Sequence, residues 1–216
     1  GRRDDAIQAL RLGASNFLLK PNEVENVASI AEKILGSRQR QQRTKELLSF
    51  FDREHQIYSI PSDLRYTLPL VEILTSKLEA IGICNAAELK NIKLALDEAL
   101  VNAIVHGNQE ISSEMKGTTL ADLVCYDEEV RRRSTLEPYC NRRVTVTSVI
   151  TREYAEYTVE DEGNGFDPSS IPESIGDAEN LTSHGRGLLL IKAFMDIVTF
   201  NDRGNRITMI KRAPGQ

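Results

Sequence analysis

The pattern of apolar and polar positions divides the chain into a short N-terminal stretch, a polar linker and a longer domain. In the first 36 residues, helical spacing around Ile7 predicts a helix, "NFLL" predicts a short buried strand, and "EVENVASIAEKIL" predicts a second amphipathic helix that ends at Gly36. Residues 37–54 are polar at first and then helical, which predicts a linker helix between two units.

The longer domain, residues 55–213, mixes helical patterns with pairs of half-buried strands. It opens with the strand "IYSI" and a helix for which Ser62 is expected to be the N-cap, and a second helix is expected to stop at Gly107. A charged region with its own helical pattern, 109–142, precedes the alternating strands "RVTVTSVI" and "EYAEYTVED". The helix "GLLLIKAFMD" and two strands flanking Gly204 follow. This order predicts an α+β fold, in which a mostly antiparallel sheet has helices on one face.

The second helix carries polar residues where a buried helix needs apolar ones. Glu98, Asn102 and His106 recur four apart and should share one side of the helix. Burying a carboxylate without a partner is costly, so the stripe is either a polar network inside the core or the lining of a pocket. In a pocket, Asn102 would offer Mg²⁺ an oxygen ligand, and Glu98 would orient or deprotonate a nucleophile. His106 is expected to cap the helix C-terminus.

A second group of candidate residues follows the strand "EYAEYTVED". Asp161 ends the strand on its apolar face, where its carboxylate needs a hydrogen-bond donor such as the exocyclic amine of adenine. Gly163 and Gly165 then let the backbone turn sharply and approach a ligand closely. An alternative is an ordinary turn, because Asp and Gly are common turn residues.

A third group precedes the last apolar helix, in "HGRGLLLI". Gly185 and Gly187 flank Arg186 just before the helix begins. Free backbone N–H groups and the positive end of the helix dipole favour a phosphate at such a place. A flexible loop before a core helix is the other interpretation.

Composition narrows the function classes. The 216 residues carry a net charge of −5 with both signs mixed, which argues against a nucleic-acid-binding surface. No apolar run is long enough to span a bilayer, so we expect no membrane association. The three cysteines have neither metal-ligand nor disulfide spacing, and a reducing cytoplasm is the simplest compartment.

Taken in order, "DEALVNAIVHG", "DEGNGF" and "GRGL" resemble the N box and the two glycine boxes of the GHKL ATPase superfamily. The resemblance covers about residues 55–212 and implies a Bergerat fold, a two-layer α/β sandwich with a mixed, mostly antiparallel sheet that binds ATP and Mg²⁺ under a mobile lid. By position it implies that Glu98 is the base, Asn102 ligates Mg²⁺ and Asp161 holds adenine. It assigns the phosphate, lid and adenine-supporting positions to Gly163, Gly165, Gly185, Arg186, Gly187, Leu188 and Thr208.

Within the superfamily, "IPSDLRYTLPLVEILTSKLEAIGI" and the helix after the lid are most similar to the anti-sigma-factor serine kinases of bacterial signal transduction. That resemblance implies phosphorylation of a Ser or Thr on a small, STAS-like antagonist protein, with a sigma factor as a further partner. A histidine kinase is the rival, but His55 is the one upstream candidate and it runs straight into a strand. A third hypothesis is a non-catalytic ATP-binding module that sequesters a partner. His184 is expected to be a polar lid residue.

Two segments depart from the anti-sigma-factor pattern. The charged region 109–142 is an insertion, which we interpret as a candidate surface for partner choice or dimerisation; whether the chain forms a homodimer stays open. Residues 1–36 resemble the last third of a response-regulator receiver domain, a short α-β-α remnant in which Lys20 would be the phosphate-contacting lysine. Asp4 and Asp5 are poor candidates for the missing phosphoacceptor.

Overall fold

The computed structural model describes residues 8, 11–12, 24–117, 119–170 and 186–215 and separates the chain into two units, 1–50 and 51–216. In the first unit, helix α1 spans Val24–Leu48 without interruption. The predicted stop at Gly36 is therefore wrong. Nothing lies within 4 Å of the position that a Cβ at Gly36 would take. An exposed glycine inside a helix costs only about 1 kcal/mol, which the good helix formers after it offset. The receiver-like strand and Lys20 lie outside the described residues.

The second unit has the α+β architecture that the sequence predicts. Its sheet has five strands in the order β1-β2-β3-β5-β4, and all four pairings are antiparallel. The elements in chain order are β1 (Glu54–Pro61), α2 (Thr67–Thr75), α3 (Ala86–Val101), α4 (Leu120–Arg133), β2 (Arg143–Ile150), β3 (Tyr154–Glu160), α5 (Arg186–Phe194), β4 (Ile197–Phe200) and β5 (Arg206–Arg212).

The core lies between the sheet and the helices on one of its faces. Strand β3 alternates between buried and partly buried residues, so Ala155, Tyr157 and Val159 all face inward. Tyr157 is fully buried, and its hydroxyl donates to the carbonyl of Leu74 in α2 at 3.2 Å. This bond ties the central strand to the helical layer and satisfies a hydroxyl that would otherwise be buried without a partner.

Helix α3 begins regularly and ends irregularly. Asn85 caps it in a capping box with Glu88, with the Asn85 side chain accepting from the Ala87 and Glu88 amides. After Val101 the backbone widens into a π-helical turn, Asn102–Asn108. The sequence predicted one regular helix up to Gly107. Short π-helical segments are rare and are found frequently at functional sites.

Ser62 is not an N-cap as predicted. Asp63 takes that role for a short 3₁₀ turn, Leu64–Tyr66, by accepting from the Arg65 amide at 2.9 Å. Ser62 is instead buried, with 3 % of its surface exposed. Its hydroxyl donates to the carbonyl of Arg142 at 2.9 Å, which ties the end of β1 to the start of β2.

Across the described part of the chain, no helix combines the length and the apolar character that crossing a membrane requires.

Candidate functional site

Asp161 lies directly after β3 and is held in place through its main chain. Its amide donates to the carbonyl of Asn205 at 3.0 Å, and the Asn205 side chain donates back to the Asp161 carbonyl at 2.6 Å. Asp161 is 9 % exposed as a residue, and the Oδ1 of its carboxylate accepts from the Gly163 amide at 2.8 Å. Oδ2 makes no hydrogen bond within the described residues, so it is free to accept one from a ligand.

The environment of this carboxylate is unusual for an aspartate. Burial raises the pKa of Asp161 to about 6, although the Gly163 N–H and the charges of Arg203 and Arg142 oppose the shift. A carboxyl group with so perturbed a pKa at the end of a strand is a candidate ligand-binding group on physical grounds.

Two glycines allow the first two motifs to touch. A Cβ at Gly107 would overlap the Asp161 carboxylate, and a Cβ at Gly163 would overlap the carbonyl of Gly107. The end of the π-helical turn and the loop after β3 therefore meet with no side chain between them. Gly165, two residues on, has a φ of 76°, a left-handed conformation that favours glycine.

Glu98 and Asn102 lie one turn apart at the junction of α3 and the π-helical turn, and both are partly buried. Neither side chain makes a hydrogen bond or an ion pair with another described residue. A Cβ at Gly187 would overlap the carboxylate of Glu98, so the first turn of α5 packs directly against it. The third motif therefore meets the first at Glu98.

The other predicted residues of the third motif are described only in part. Leu188 is partly buried and packs against the core. Arg186 begins α5, but its side chain is outside the described part of the structure, as are Gly185 and His184 altogether. The structure thus joins Glu98 to α5, and Gly107 to Asp161.

Thr208 is not brought to Asp161. It lies opposite Thr158 in the β3–β5 pair, and the two hydroxyls are 3.1 Å apart. Its neighbours in β5, Ile207 and Met209, are buried and face the core. Thr208 therefore points to the other face of the sheet, away from the face that Asp161 continues. The alternation within "RITMIKR" predicts this orientation, because the apolar Ile207 and Met209 face the core and the residue between them faces the other side.

We assign no reactive role at this site to either of the two histidines among the described residues, His55 and His106. The Nδ1 of His106 is 2.6 Å from the carbonyl oxygen of Ile111, so the ring holds the chain just after the π-helical turn. His55 is exposed in the edge strand β1, paired with Val149.

Asn108 is a site residue that the sequence analysis missed. It is completely buried, and its Oδ1 accepts from the Glu162 amide at 2.7 Å. Its Nδ2 donates to the Ser62 hydroxyl at 2.8 Å, while Arg142 donates to its carbonyl at 2.6 Å. Asn108 therefore fixes the π-helical turn against the loop that carries Gly163. No periodicity marks such a residue, because its partners are far away in the sequence.

The family model described as the histidine kinase-like ATPase domain matches residues 60–211. The match spans more than half of the chain, so the protein belongs to this family. No curated protein is significantly similar to it. The predicted GHKL-type ATPase domain is thereby confirmed, and the chain contains an ATP-binding module of this type.

Proposed function

We propose that the chain is an ATP-dependent serine/threonine protein kinase of the anti-sigma-factor type, which phosphorylates a small antagonist protein. The observation that carries the proposal is the state of Glu98 and Asn102. Both are partly buried and unpaired within the described residues, whereas nearby Asn108 and Asn205 are fully engaged. Partly buried polar groups without protein partners are available to a ligand.

The residues present fit ATP and Mg²⁺. Oδ2 of Asp161 is free to accept from the adenine amine, and Gly107 and Gly163 bring the backbone close to it without a side chain. The amide oxygen of Asn102 is a hard ligand of the kind that Mg²⁺ prefers. When bound, ATP supplies the transferable phosphoryl group and Mg²⁺ neutralises its charge.

Glu98 is the proposed general base. Its carboxylate lies against the first turn of α5, so it is next to the helix end that favours phosphate. From there Glu98 would accept the proton of the acceptor hydroxyl as the oxygen attacks. In this proposal Asp161 is at the end of the site that binds adenine, and Glu98 is at the end where the phosphoryl group is transferred.

A serine or threonine acceptor is favoured over a histidine in this chain. His55 belongs to β1, whose residues pair with β2 throughout, so it is held in the sheet and not on a helical hairpin. We propose an antagonist protein, STAS-like in type, as the substrate and a sigma factor as a second partner. We place the reaction in the cytoplasm of a bacterium.

The first experiment separates binding from turnover. Glu98→Ala should reduce ADP formation from ATP and Mg²⁺ by a factor of about 10² to 10⁴, the usual contribution of a general base, while nucleotide affinity stays nearly unchanged. Asn102→Ala should weaken binding only when Mg²⁺ is present. Glu79→Ala and Asn91→Ala, both exposed, are the matched controls. Full turnover in Glu98→Ala would remove Glu98 from the catalytic role.

The second experiment identifies the acceptor. Proteins that co-purify with the chain from its host are incubated with radiolabelled ATP, and their phosphosites are mapped by mass spectrometry. We expect an acid-stable phosphoester on a separate small protein. Acid-labile label on this chain that disappears in His55→Gln would make it a histidine kinase instead. Nucleotide binding without any transfer would favour a partner-sequestering module.

A further inference from the structure

One residue just after the π-helical turn has a backbone conformation that its own side chain disfavours. Glu110 has a φ of 54°, and it is the one residue other than glycine with a positive φ among those that the structure describes. A helix commonly ends in a left-handed residue, but that residue is usually glycine, because a Cβ makes the conformation costly. Gly107, the expected helix stop, serves instead for the close contact with Asp161. A strained residue that persists in a fold points to a use for its side chain.

The carboxylate of Glu110 joins two parts of the site. Its Oε1 accepts from the Nδ2 of Asn164 at 3.0 Å and lies 2.8 Å from a guanidinium nitrogen of Arg142. Asn164 belongs to residues 162–165, the loop after β3 that we call the adenine loop. The same Arg142 nitrogen donates to the Asn108 carbonyl at 2.6 Å. Glu110 therefore connects the adenine loop to the end of the π-helical turn.

The insertion holds the backbone of Glu110 in this conformation. Arg133, in the last turn of α4, donates to the carbonyls of Gln109 and Glu110 at 2.5 and 2.9 Å. The Gln109 amide donates to the carbonyl of Ile104 at 2.9 Å, and this hydrogen bond across five residues closes the π-helical turn. The π-helical turn, the left-handed residue and the end of α4 are therefore joined by direct hydrogen bonds.

The adenine loop has a second attachment. Arg203, in the hairpin between β4 and β5, donates to the Gly163 carbonyl at 2.9 Å. A Cβ at Gly165 would overlap the carbonyl of Arg203, so the hairpin and the loop are in contact. The loop is thus held by both this hairpin and Glu110, which keeps the Gly163 amide in position to donate to Asp161.

We propose that Glu110 is a positioning residue for nucleotide binding, whose carboxylate, through Asn164, keeps the adenine loop where Asp161 can accept from the adenine amine. The inference rests on the proposed function, because it takes Asp161 as the group that binds adenine. It also gives the insertion a role within the domain, since Arg133 of α4 holds the backbone of Glu110.

Glu110→Gly separates positioning from stability. Glycine removes the carboxylate and also the cost of the left-handed backbone. We therefore expect the urea midpoint to stay at or above that of the parent chain. The affinity for ATP with Mg²⁺, measured by calorimetry, should fall by about 3- to 10-fold, the range for an ordinary hydrogen bond. Glu110→Gln keeps an oxygen that can accept from Asn164 and should bind within about twofold of the parent. Glu128→Gln, which removes an exposed charge from α4, is the control and should change neither quantity.

A double-mutant cycle tests the route through Asn164. Asn164→Ala should weaken binding by the same factor as Glu110→Gly, and the double variant should bind no more weakly than either single variant. The loss should be equal for ATP with Mg²⁺ and for ADP in EDTA, because the contact acts at the adenine end of the site. Asn164 is exposed, so Asn164→Ala decides the question if Glu110→Gly does not fold.

The possible results distinguish this inference from the proposed function. Unchanged affinity in Glu110→Gly or in Asn164→Ala would overturn the inference and leave the nucleotide site intact. Losses that multiply in the double variant, a loss seen only with Mg²⁺, or a lower urea midpoint in Glu110→Gly would overturn it as well. Absence of nucleotide binding by the parent chain would overturn the proposed function and this inference with it.

Discussion

The Asp161 carboxylate is expected both to bind adenine and to lower the stability of the folded chain at neutral pH. In Asp161→Asn, the Asn Oδ1 still accepts from the Gly163 amide, but the atom that would face the adenine amine becomes a donor. We expect nucleotide affinity to fall by about 10- to 150-fold, the range for losing a hydrogen bond to a charged group, as measured by calorimetry. Asp167→Asn, which changes an exposed carboxylate bonded to Ser169, is the control. Unchanged affinity in Asp161→Asn would reject the adenine assignment.

The same carboxylate should make stability depend on pH. Its pKa is raised from 3.8 to about 6 in the folded state, so the folded chain binds the proton more tightly than the unfolded chain. The stabilisation that protonated Asp161 adds to the free energy of unfolding is therefore fully present below pH 4 and is lost as pH rises through 6. It amounts to at most about 3 kcal/mol. Urea unfolding of the ligand-free protein at pH 5 and pH 7.5 measures it. At pH 7.5, Asp161→Asn should be more stable than the parent chain, and its free energy of unfolding should lack this loss between pH 5 and pH 7.5. An equal change with pH in the two proteins would contradict the assignment.

At the scale of elements, Asn108 joins the π-helical turn to β1 and to the loop after β3. Asn108→Ala would leave the Glu162 amide without its acceptor and the Ser62 hydroxyl without its donor. Since each unsatisfied buried group costs about 1–3 kcal/mol, we expect the free energy of unfolding to fall by about 2–6 kcal/mol in urea titrations. Asn91→Ala, on the exposed side of α3, should change it by less than about 0.5 kcal/mol.

The elements differ in how far the sequence predicts them. Strand alternation and helical spacing identify β2, β3 and α4, because burial of one face selects those periods. They do not reveal the π-helical turn, which depends on distant partners of Asn108, such as the Glu162 amide. They also predict Ser62 as an N-cap, but its hydroxyl donates to the Arg142 carbonyl just before β2 and does not cap the helix that follows it.

In the whole molecule, three motifs far apart in sequence meet because the sheet and two helices place them together. The contacts between Gly107 and Asp161 and between Gly187 and Glu98 follow from that arrangement. The motifs named Glu98, Asp161, Gly163 and Gly187 as candidates, and the structure brings Gly187 to Glu98 and Gly163 to Asp161. They could not predict where the inserted helix α4 attaches, since an insertion has no counterpart in the motif and the end of this helix is held by long-range hydrogen bonds from Arg133 to the Gln109 and Glu110 carbonyls.

The second unit should be sufficient for nucleotide binding. Its apolar core, from Phe51 to Ala213, is built from residues of that unit alone, as are all the site residues. A fragment of residues 51–216 should therefore unfold cooperatively and bind ATP with Mg²⁺ within about twofold of the whole chain, because binding affinity follows the local contacts that the fragment keeps.

A fragment of residues 63–216 is the control. It lacks β1 and the Ser62 hydroxyl, so β2 loses its edge partner and Asn108 loses its acceptor, and we expect it not to fold. If the 51–216 fragment folds, as judged by circular dichroism, but binds ATP more than tenfold more weakly by calorimetry, then residues 1–50 contribute to the site and its assignment to the second unit is wrong.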